Sequence, residues 1–569
     1  MAIFFLVALC LLIARLVHIQ LISTESYSKH RINLIEQSVN QRVQSIVLDD
    51  GRGKFYDRNG ILLNYEPQYT LILFPFLNNM DWPVEKIAEI INVAPSELQV
   101  AIRNKKEPFA FEKNGQPIFL TENQKLEVNT LKIPGIFAAS ILKPIESKLA
   151  EQLIGGVSNV KSAGYEEEGL LPTDKVGDRG LERQLDAYLR SQGESKLVYH
   201  VDGMGGPLFG VNVKYVSPGS ALYPVKVNTT LDSEWQRAAE ELADEENIQK
   251  GGLLLIDIET SEIIVSVSRP RVDAKNPYKD TGAQNKMLTQ ATVGSVFKTV
   301  VAAAAIEENM IDDSQTFDCN RTINGGVEKE RPLGILHFAD SFAQSCNRTF
   351  GEIGVALSEK DPALIQEYAE KLQLVGQSGW KGNVFHSSLV QLHNEEKGQV
   401  WRDGVDFTDS NFVAQTAIGQ KDVQATPLAV ANMMATIARG GERKMVKAVS
   451  NIEFANGTTA ARFEDVEVDG DKIAPVTAKK LQQLLRGVVE DGTASSLQDL
   501  PINIAGKTGT AQTDVQNKLV NMWFAGYFPV EKPKYAFVVV KLGVSDQEKS
   551  ATRTFGEYVK KIYNQNLIK

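Results

Sequence analysis

The segment ATVGSVFKTVVAAAAI, residues 291–306, sets a lysine at the mouth of an uninterrupted apolar run. From Val300 to Ile306 the pattern has no polar face, and a helix apolar all round is normally a buried one. An ammonium carried into that setting is costly unless it pairs, snorkels to water or gives up its proton. Ser295 stands three residues before Lys298, directly after Gly294. Residues i and i+3 share a helix face, so the amine can come near the hydroxyl. In a first helical turn, free backbone N–H groups and the dipole favour negative charge developing at Ser295. A lysine kept neutral by burial can accept the serine proton. A capping serine beside a snorkelling lysine fits these residues as well. Spacing alone decides nothing, since Ser26/Lys29, Ser140/Lys143, Ser158/Lys161 and Ser378/Lys381 share it.

Working outward, two alternating runs precede the segment, GGLLLIDI (251–258) and EIIVSVS (262–268), joined by Glu259-Thr260-Ser261. They read as a hairpin. A largely helical stretch follows, and strands return at NIAGKTGTAQ (503–512), NMWFAGYFPV (521–530) and YAFVVVKLGV (535–544), with a closing helix at ATRTFGEYVKKIYN (551–564). Two strands, many helices, three strands and a helix predict an α+β domain with one antiparallel sheet of about five strands, flanked by helices. Residues 23–236 are mixed and polar. VEKIAEIINV (84–93), TENQKLEVNTL (121–131, with a capping Thr) and DRGLERQLDAYLR (178–190) read there as amphipathic helices. No set of catalytic residue types gathers in that part, so a pedestal or docking module is expected. The division expected is 1–22, 23–236 and 237–569.

Composition narrows the class. The chain has 569 residues, 43% hydrophobic and 23% charged, which is more than one domain by length. A net charge of −10, with no basic run longer than Lys29-His30-Arg31, argues against nucleic-acid binding. AIFFLVALCLLIA opens an apolar stretch over 2–22, interrupted at Arg15. A spanning helix needs about 20 such residues, and no small-residue cleavage site follows, so an uncleaved membrane anchor is expected. Arg15, Lys29 and Arg31 lie after the run and no basic residue precedes it, contrary to the positive-inside pattern. Charge therefore does not set the orientation. Three cysteines, one of them Cys10 in the apolar stretch, make no disulfide framework. Cys319 and Cys346 are expected as small buried thiols rather than a bridge. The six histidines include no HExxH and no pairing with CxxC, so neither a metal nor a cofactor is expected.

Two further stretches carry polar groups suited to chemistry. Within HFADSFAQSCNRTF (337–350), Ser345 and Asn347 offer a hydroxyl and an amide one residue apart, though Ser38-Val39-Asn40 has the same form and a turn or cap is the bland reading. In AGKTGTAQ (505–512), Gly506-Lys507-Thr508 resembles the end of a phosphate-binding loop, but its first glycine would fall on Pro501 and the flanks read as strand, not helix. As a strand, Lys507 and Gly509 share one face, and Gly509 leaves room for a second backbone, such as a substrate, to pair along the edge.

SVFK, SCN and KTG in that order resemble the three active-site motifs of the penicillin-binding proteins and serine β-lactamases. GRGKFYDRNGILL (51–63), GDRGLERQLDAYLR (177–190), IDIETSEIIVSVSRPRVDAKNP (256–277) and AIGQKDVQATPLAVANMMATIA (417–438) resemble segments of the class B members, so the likeness runs from about residue 45 to the C-terminus. The resemblance implies Ser295 as nucleophile, Lys298 as general base, Ser345 in the proton relay and Asn347 on the substrate backbone. It implies Lys507 as a charge near Ser345, and Thr508 on the substrate carboxylate with Gly509 and Thr510 beside it. The oxyanion hole would be the backbone N–H groups of Ser295 and Thr510. The implied activity is a peptidoglycan D,D-transpeptidase without a glycosyltransferase domain, acylated by β-lactams, anchored in the cell membrane by one pass with its body outside the cytoplasm. Its implied partners are stem peptides with a D-Ala–D-Ala end and an amine acceptor, together with a glycosyltransferase docked on the N-terminal module. The alternatives are a D,D-carboxypeptidase or β-lactamase that passes the acyl group to water, and a scaffold or sensor of wall synthesis. The chain departs from the family pattern at Val293, often proline, and at Lys421, where Gly419-Gln420 is usually followed by glycine. LKPIESKLAEQLIGGV (142–157) matches the family only in part.

Overall fold

The computed structural model describes residues 1–25, 33–34, 43–103, 105–164, 170–171, 173–202, 213–217, 219–312, 314–402, 404 and 406–568. The Lys29-His30-Arg31 triplet, the Ser26/Lys29 pair and Ser38-Val39-Asn40 lie outside the described residues. At the N-terminus, the α-helix Ala2–Val17 runs on into the π-helical turn His18–Ile22. The stretch Ile3–Ile22, with a mean hydropathy of 2.4, is long and apolar enough to cross a membrane.

Two compact units form, and neither is one continuous stretch. The smaller takes Met1–Arg52, Tyr65–Ile145 and Ser191–Pro224. Its strand Tyr65–Leu73 pairs antiparallel with Ile136–Pro144, and Leu71, Leu73, Ile87, Leu98, Phe111 and Val128 build the core beside it. The helices expected at 84–93 and 121–131 are found at Val84–Ile90 and Glu122–Thr130. Thr121 closes a capping box with Gln124, each side chain taking the other's backbone N–H.

The larger unit takes Gly53–Asn64, Glu146–Arg190 and Val225–Lys569. Strand pairing explains why a single cut at 236/237 does not follow the contacts: Lys54–Tyr56 lies parallel to Lys226–Thr229, and the Asn64 amide bonds Leu149 in both directions at 3.1 and 2.7 Å. The 178–190 stretch is not one helix. Asp178 and Arg179 end a strand, Lys175–Arg179, and two short helices follow, Gly180–Gln184 and Asp186–Leu189. Gly180 has φ +57° and lies so close to Leu153 that a Cβ would sit 2.6 Å from its carbonyl oxygen. The Asp186 carboxylate accepts from Gly177 N at 2.7 Å, folding the helical part back on the strand.

At the centre is a five-stranded antiparallel sheet. Its strands are β1 (Gly251–Asp257), β2 (Ile263–Arg269), β3 (Ala505–Asp514), β4 (Leu519–Phe528) and β5 (Tyr535–Ser545), in the order β2-β1-β5-β4-β3. The hairpin turn is fixed by Asp257, which accepts from Glu259 N and Thr260 N at 3.0 Å. Both hairpin strands are buried at every residue, on both faces, where their alternation predicts one wet face. The helices around the sheet include α1 (Ser233–Glu245), α2 (Lys298–Glu307), α3 (Asn347–Lys360), α4 (Pro427–Ala438), α5 (Pro475–Glu490) and α6 (Ala551–Asn564), of which α1, α4, α5 and α6 pack on it while α2 packs on α3 and α5. Helix α4 packs on β1, β4 and β5, and α1 on β2. Helix α4 starts at Pro427 with the Thr426 hydroxyl accepting from Ala429 N at 3.1 Å, a proline-first, capped start. Phe555 of α6 stacks on Phe537 of β5.

Candidate active site

The turn that carries Ser295 is held from three sides. Trp523 of β4 donates its indole N–H to the Thr292 carbonyl at 3.0 Å. Gly294 donates to the Gly419 carbonyl at 2.9 Å and has φ +59°. A Cβ on Gly294 would lie 2.5 Å from Thr510 O, and one on Gly419 would lie 1.9 Å from Gly294 O. Both glycines are therefore required by close backbone approach. The helix does not begin as an α-helix at Ser295: Gly294–Phe297 is a 3₁₀ turn, and α2 takes over at Lys298. Ser295 is half-buried near the start of this turn and faces a cleft.

Lys298 is completely buried. Its amine lies 2.8 Å from the Ser345 carbonyl oxygen, 3.2 Å from Ser345 Oγ and 2.7 Å from Asn347 Oδ1. No acid meets it. Burial first, then the charges of Lys507 and Arg331, hold its pKa well below the ordinary lysine value. A neutral amine keeps two N–H donors, enough for the Ser345 carbonyl and the Asn347 amide, and a lone pair able to accept a hydroxyl proton. Its hydrogen bonds run to Ser345 and Asn347 rather than to Ser295, so the amine bridges α2 to the Ser345 turn.

That turn is strained and stapled. Ser345 has φ +57°, a left-handed conformation that is costly for a residue with a Cβ. It lies between the short helix Phe338–Ala343 and α3, which opens at Asn347. Cys346, expected as a free thiol, is bonded to Cys319. The two are 27 residues apart, and their count carried no information about the fold that brings them together. The strand Thr316–Asp318 pairs with Ile335–His337, just ahead of the Phe338–Ala343 helix, and thereby delivers Cys319 to the Ser345 turn.

The third group lies on β3, the terminal strand of the sheet, paired to β4 with Lys507 opposite Ala525 and Thr510 opposite Met522. Lys507 is fully buried, with its amine 3.2 Å from the Thr508 carbonyl and over the Phe342 ring at 5.6 Å. Burial, then the Arg331 charge, push its pKa down to about 7. The Thr508 and Thr493 hydroxyls lie 2.6 Å apart. Gly509 has a different use from the expected one. A Cβ there would meet Val293 O at 2.7 Å and Val296 Cγ2 at 2.8 Å, so the backbone that Gly509 admits is that of the Ser295 turn. Gln420 donates to Thr510 O at 3.2 Å from the other flank.

Ser295, Ser345, Asn347, Thr508, Gly509 and Thr510 line one cleft of about 550 Å³, and Lys298 and Lys507 are buried next to it. All eight residues singled out in the sequence thus meet. Missed were Thr493, Trp523 and Arg331, which belong to no local motif and reach the site only through tertiary packing; Gln420 lies in the Gly419-Gln420 segment but had been given no place at the site.

Comparison with known proteins agrees with this geometry. Residues 251–564 match the family model of the penicillin binding protein transpeptidase domain, and residues 49–224 that of the penicillin-binding protein dimerisation domain. The chain is similar to the peptidoglycan D,D-transpeptidase PbpA of Mycobacterium tuberculosis, 25% identical over 324 residues, which are 51% of this chain and 61% of that protein. It thus spans about three fifths of the length of that relative. Over 596 aligned residues it is 23% identical to the peptidoglycan D,D-transpeptidase MrdA of Acinetobacter baumannii, covering 94% of this chain and 83% of the relative. A solved chain from a peptidoglycan synthase complex shares the fold with a TM-score of 0.64 at 23% identity, covering 99% of this chain and 96% of its own. With a dimerisation domain ahead of a transpeptidase domain, the chain belongs to the class B penicillin-binding proteins.

Proposed function

We propose that the protein is a membrane-anchored peptidoglycan D,D-transpeptidase. The observation that carries this reading is the fully buried Lys298 amine, held between the Ser345 and Asn347 side chains next to Ser295 with no counter-ion among the described residues. Ser295 Oγ attacks the carbonyl carbon of the penultimate D-Ala of a stem peptide, and its proton passes to Lys298 Nζ. The oxyanion forms between the N–H groups of Ser295 and Thr510. As the intermediate collapses, the C–N bond breaks, and the departing D-Ala amine takes a proton through Ser345. Asn347 holds the donor backbone, and Thr508, with Lys507 behind it, its carboxylate end. An acceptor amine then attacks the Ser295 ester, forms the cross-link amide and returns the proton to the serine. β-Lactams acylate the same serine.

The apolar helix at the N-terminus serves as the anchor, with the catalytic body outside the cytoplasm. The Cys319–Cys346 bridge supports that side, since disulfides persist in oxidising compartments. A glycosyltransferase is the partner proposed for the N-terminal module. The test is labelled-penicillin binding to wild type and Ser295→Ala, with mapping of the modified peptide. A single adduct on Ser295, lost in the variant and stable for minutes, is expected. Labelling that persists in Ser295→Ala refutes the assignment, and turnover within seconds converts the reading to a hydrolase.

A further inference from the structure

Arg331 belongs to none of the three motifs, yet it lines the same cleft as Ser295, Asn347 and Thr508. It lies on the stretch between the paired strands Thr316–Asp318 and Ile335–His337. The Cys319–Cys346 bridge ties the start of that stretch to the turn that bears Ser345. Its guanidinium donates to the Gln344 carbonyl, which caps the end of the Phe338–Ala343 helix. Helix ends leave carbonyls free and favour cations, so this anchor aims the side chain. It engages one of the five N–H donors of a guanidinium.

Among the described residues, Arg331, Lys298 and Lys507 make no ion pair, although they act on one another electrostatically. Two lysines can relieve that repulsion by losing protons. An arginine cannot, so Arg331 is the fixed charge of the site. We propose that Arg331 is a substrate-binding residue that receives the free carboxylate of the donor peptide in the cleft shared with Thr508. The inference rests on the transpeptidase reading and adds a residue outside its motifs. A guanidinium suits a carboxylate because its planar donors match the two oxygens. A bound anion also offsets the Arg331 charge felt by the two lysines, so donor binding tightens their hold on a proton and the base strengthens as its substrate arrives. The other charged groups on the cleft are Arg321, Glu328 and Glu330 on the same stretch, and Asp546 and Glu548 between β5 and α6.

The experiment compares acylation of full-length wild type, Arg331→Gln and Arg331→Lys by benzylpenicillin and by its methyl ester, read by intact mass, with thermal melting as a control of folding. For Arg331→Gln the acylation rate with the free acid is expected to fall by about ten- to a hundredfold, the range of a charge-assisted contact. The rate with the ester is expected to change far less, and Arg331→Lys to recover part of the loss. Removing a cation raises the pKa of Lys298, so the acid limb of the pH profile is expected to move to higher pH. In wild type the acid-to-ester rate ratio should fall as salt rises, because salt screens such an attraction. An equal loss for acid and ester with an unmoved acid limb overturns the proposal, as does a salt-independent ratio. A wild type that neither compound acylates overturns the transpeptidase reading, and this inference with it.

Discussion

Lys298 Nζ lies 2.8 Å from the carbonyl oxygen of Ser345, a residue whose own backbone is left-handed at φ +57°. The buried amine and the strained turn hold each other in place. Strain of this kind persists only where the surroundings over-determine it, and it is found at working sites.

Replacing Ser345 separates the two roles. Ser345→Gly removes the Cβ penalty and is expected to leave stability unchanged or raise it by up to about 1 kcal/mol. Ser345→Ala keeps the strain and loses the hydroxyl. Both are expected to slow acylation by penicillin by roughly a hundredfold, the worth of a positioned proton-transfer group. Calorimetry beside acylation kinetics checks the split, and a Ser345→Gly variant of wild-type activity contradicts the relay.

The pH dependence of stability has a definite sign. Lys507 titrates at about 7 in the folded chain, against its ordinary value of 10.5 when unfolded. Between those values the unfolded chain holds a proton that the folded one does not, so stability rises with pH across that window. The contribution is fully present above the unfolded value and is lost as pH falls toward 7. Lys298 acts in the same direction. Melting temperatures of Lys507→Met are expected to depend less on pH between about 7 and 10 than those of wild type.

Gly294→Ala is expected to be severe because Gly294 stands directly before Ser295 in the turn that faces the cleft. It adds strain at φ +59° and sets a Cβ against Thr510 O at 2.5 Å. A loss of about 1–3 kcal/mol is expected from the backbone alone. Acylation should fall by about a hundredfold, because misplacing the nucleophile by an ångström has that effect. Denaturant melts and penicillin labelling read both.

The disulfide gives a fourth expectation. Cys319→Ser/Cys346→Ser, made together so that no thiol is left behind, should lower the stability of the larger unit by about 2–4 kcal/mol. Reductant should lower the melting temperature of wild type and leave that of the double variant unmoved.

Much of the site was legible in the sequence because it is written in short local patterns. Gly294-Ser295 before an apolar helix, Ser345-Asn347 and Lys507-Thr508-Gly509 each leave a bland reading open alone, and their order, through the family resemblance, carried the assignment. The five strands and the closing helix were legible for the same reason, since periodicity is local. What failed was set by distant chain. The hairpin strands look half-buried by alternation, but α1, which precedes them, packs on β2 and α4, from far along the chain, packs on β1. The 178–190 stretch has a helical period, but Gly177 and Gly180 pack against other backbone and break it. Cys319 meets Cys346 because a small strand pair returns to the site. Arg331 has no neighbour in sequence that marks it.

The sheet order β2-β1-β5-β4-β3 has a consequence for how the protein comes into being. The strand that joins the early hairpin to the strand of Lys507 is β5, Tyr535–Ser545, and it pairs with Gly251–Asp257 across nearly the whole catalytic unit. Until β5 has been synthesised, β1 has no partner on that side and the two halves of the nucleophile's surroundings remain separate. Pairings so far apart in sequence are slow to form and leave strand edges exposed meanwhile. The catalytic sheet of a nascent chain therefore cannot close before β5 has been made, and during that wait its most apolar strands need protection from one another.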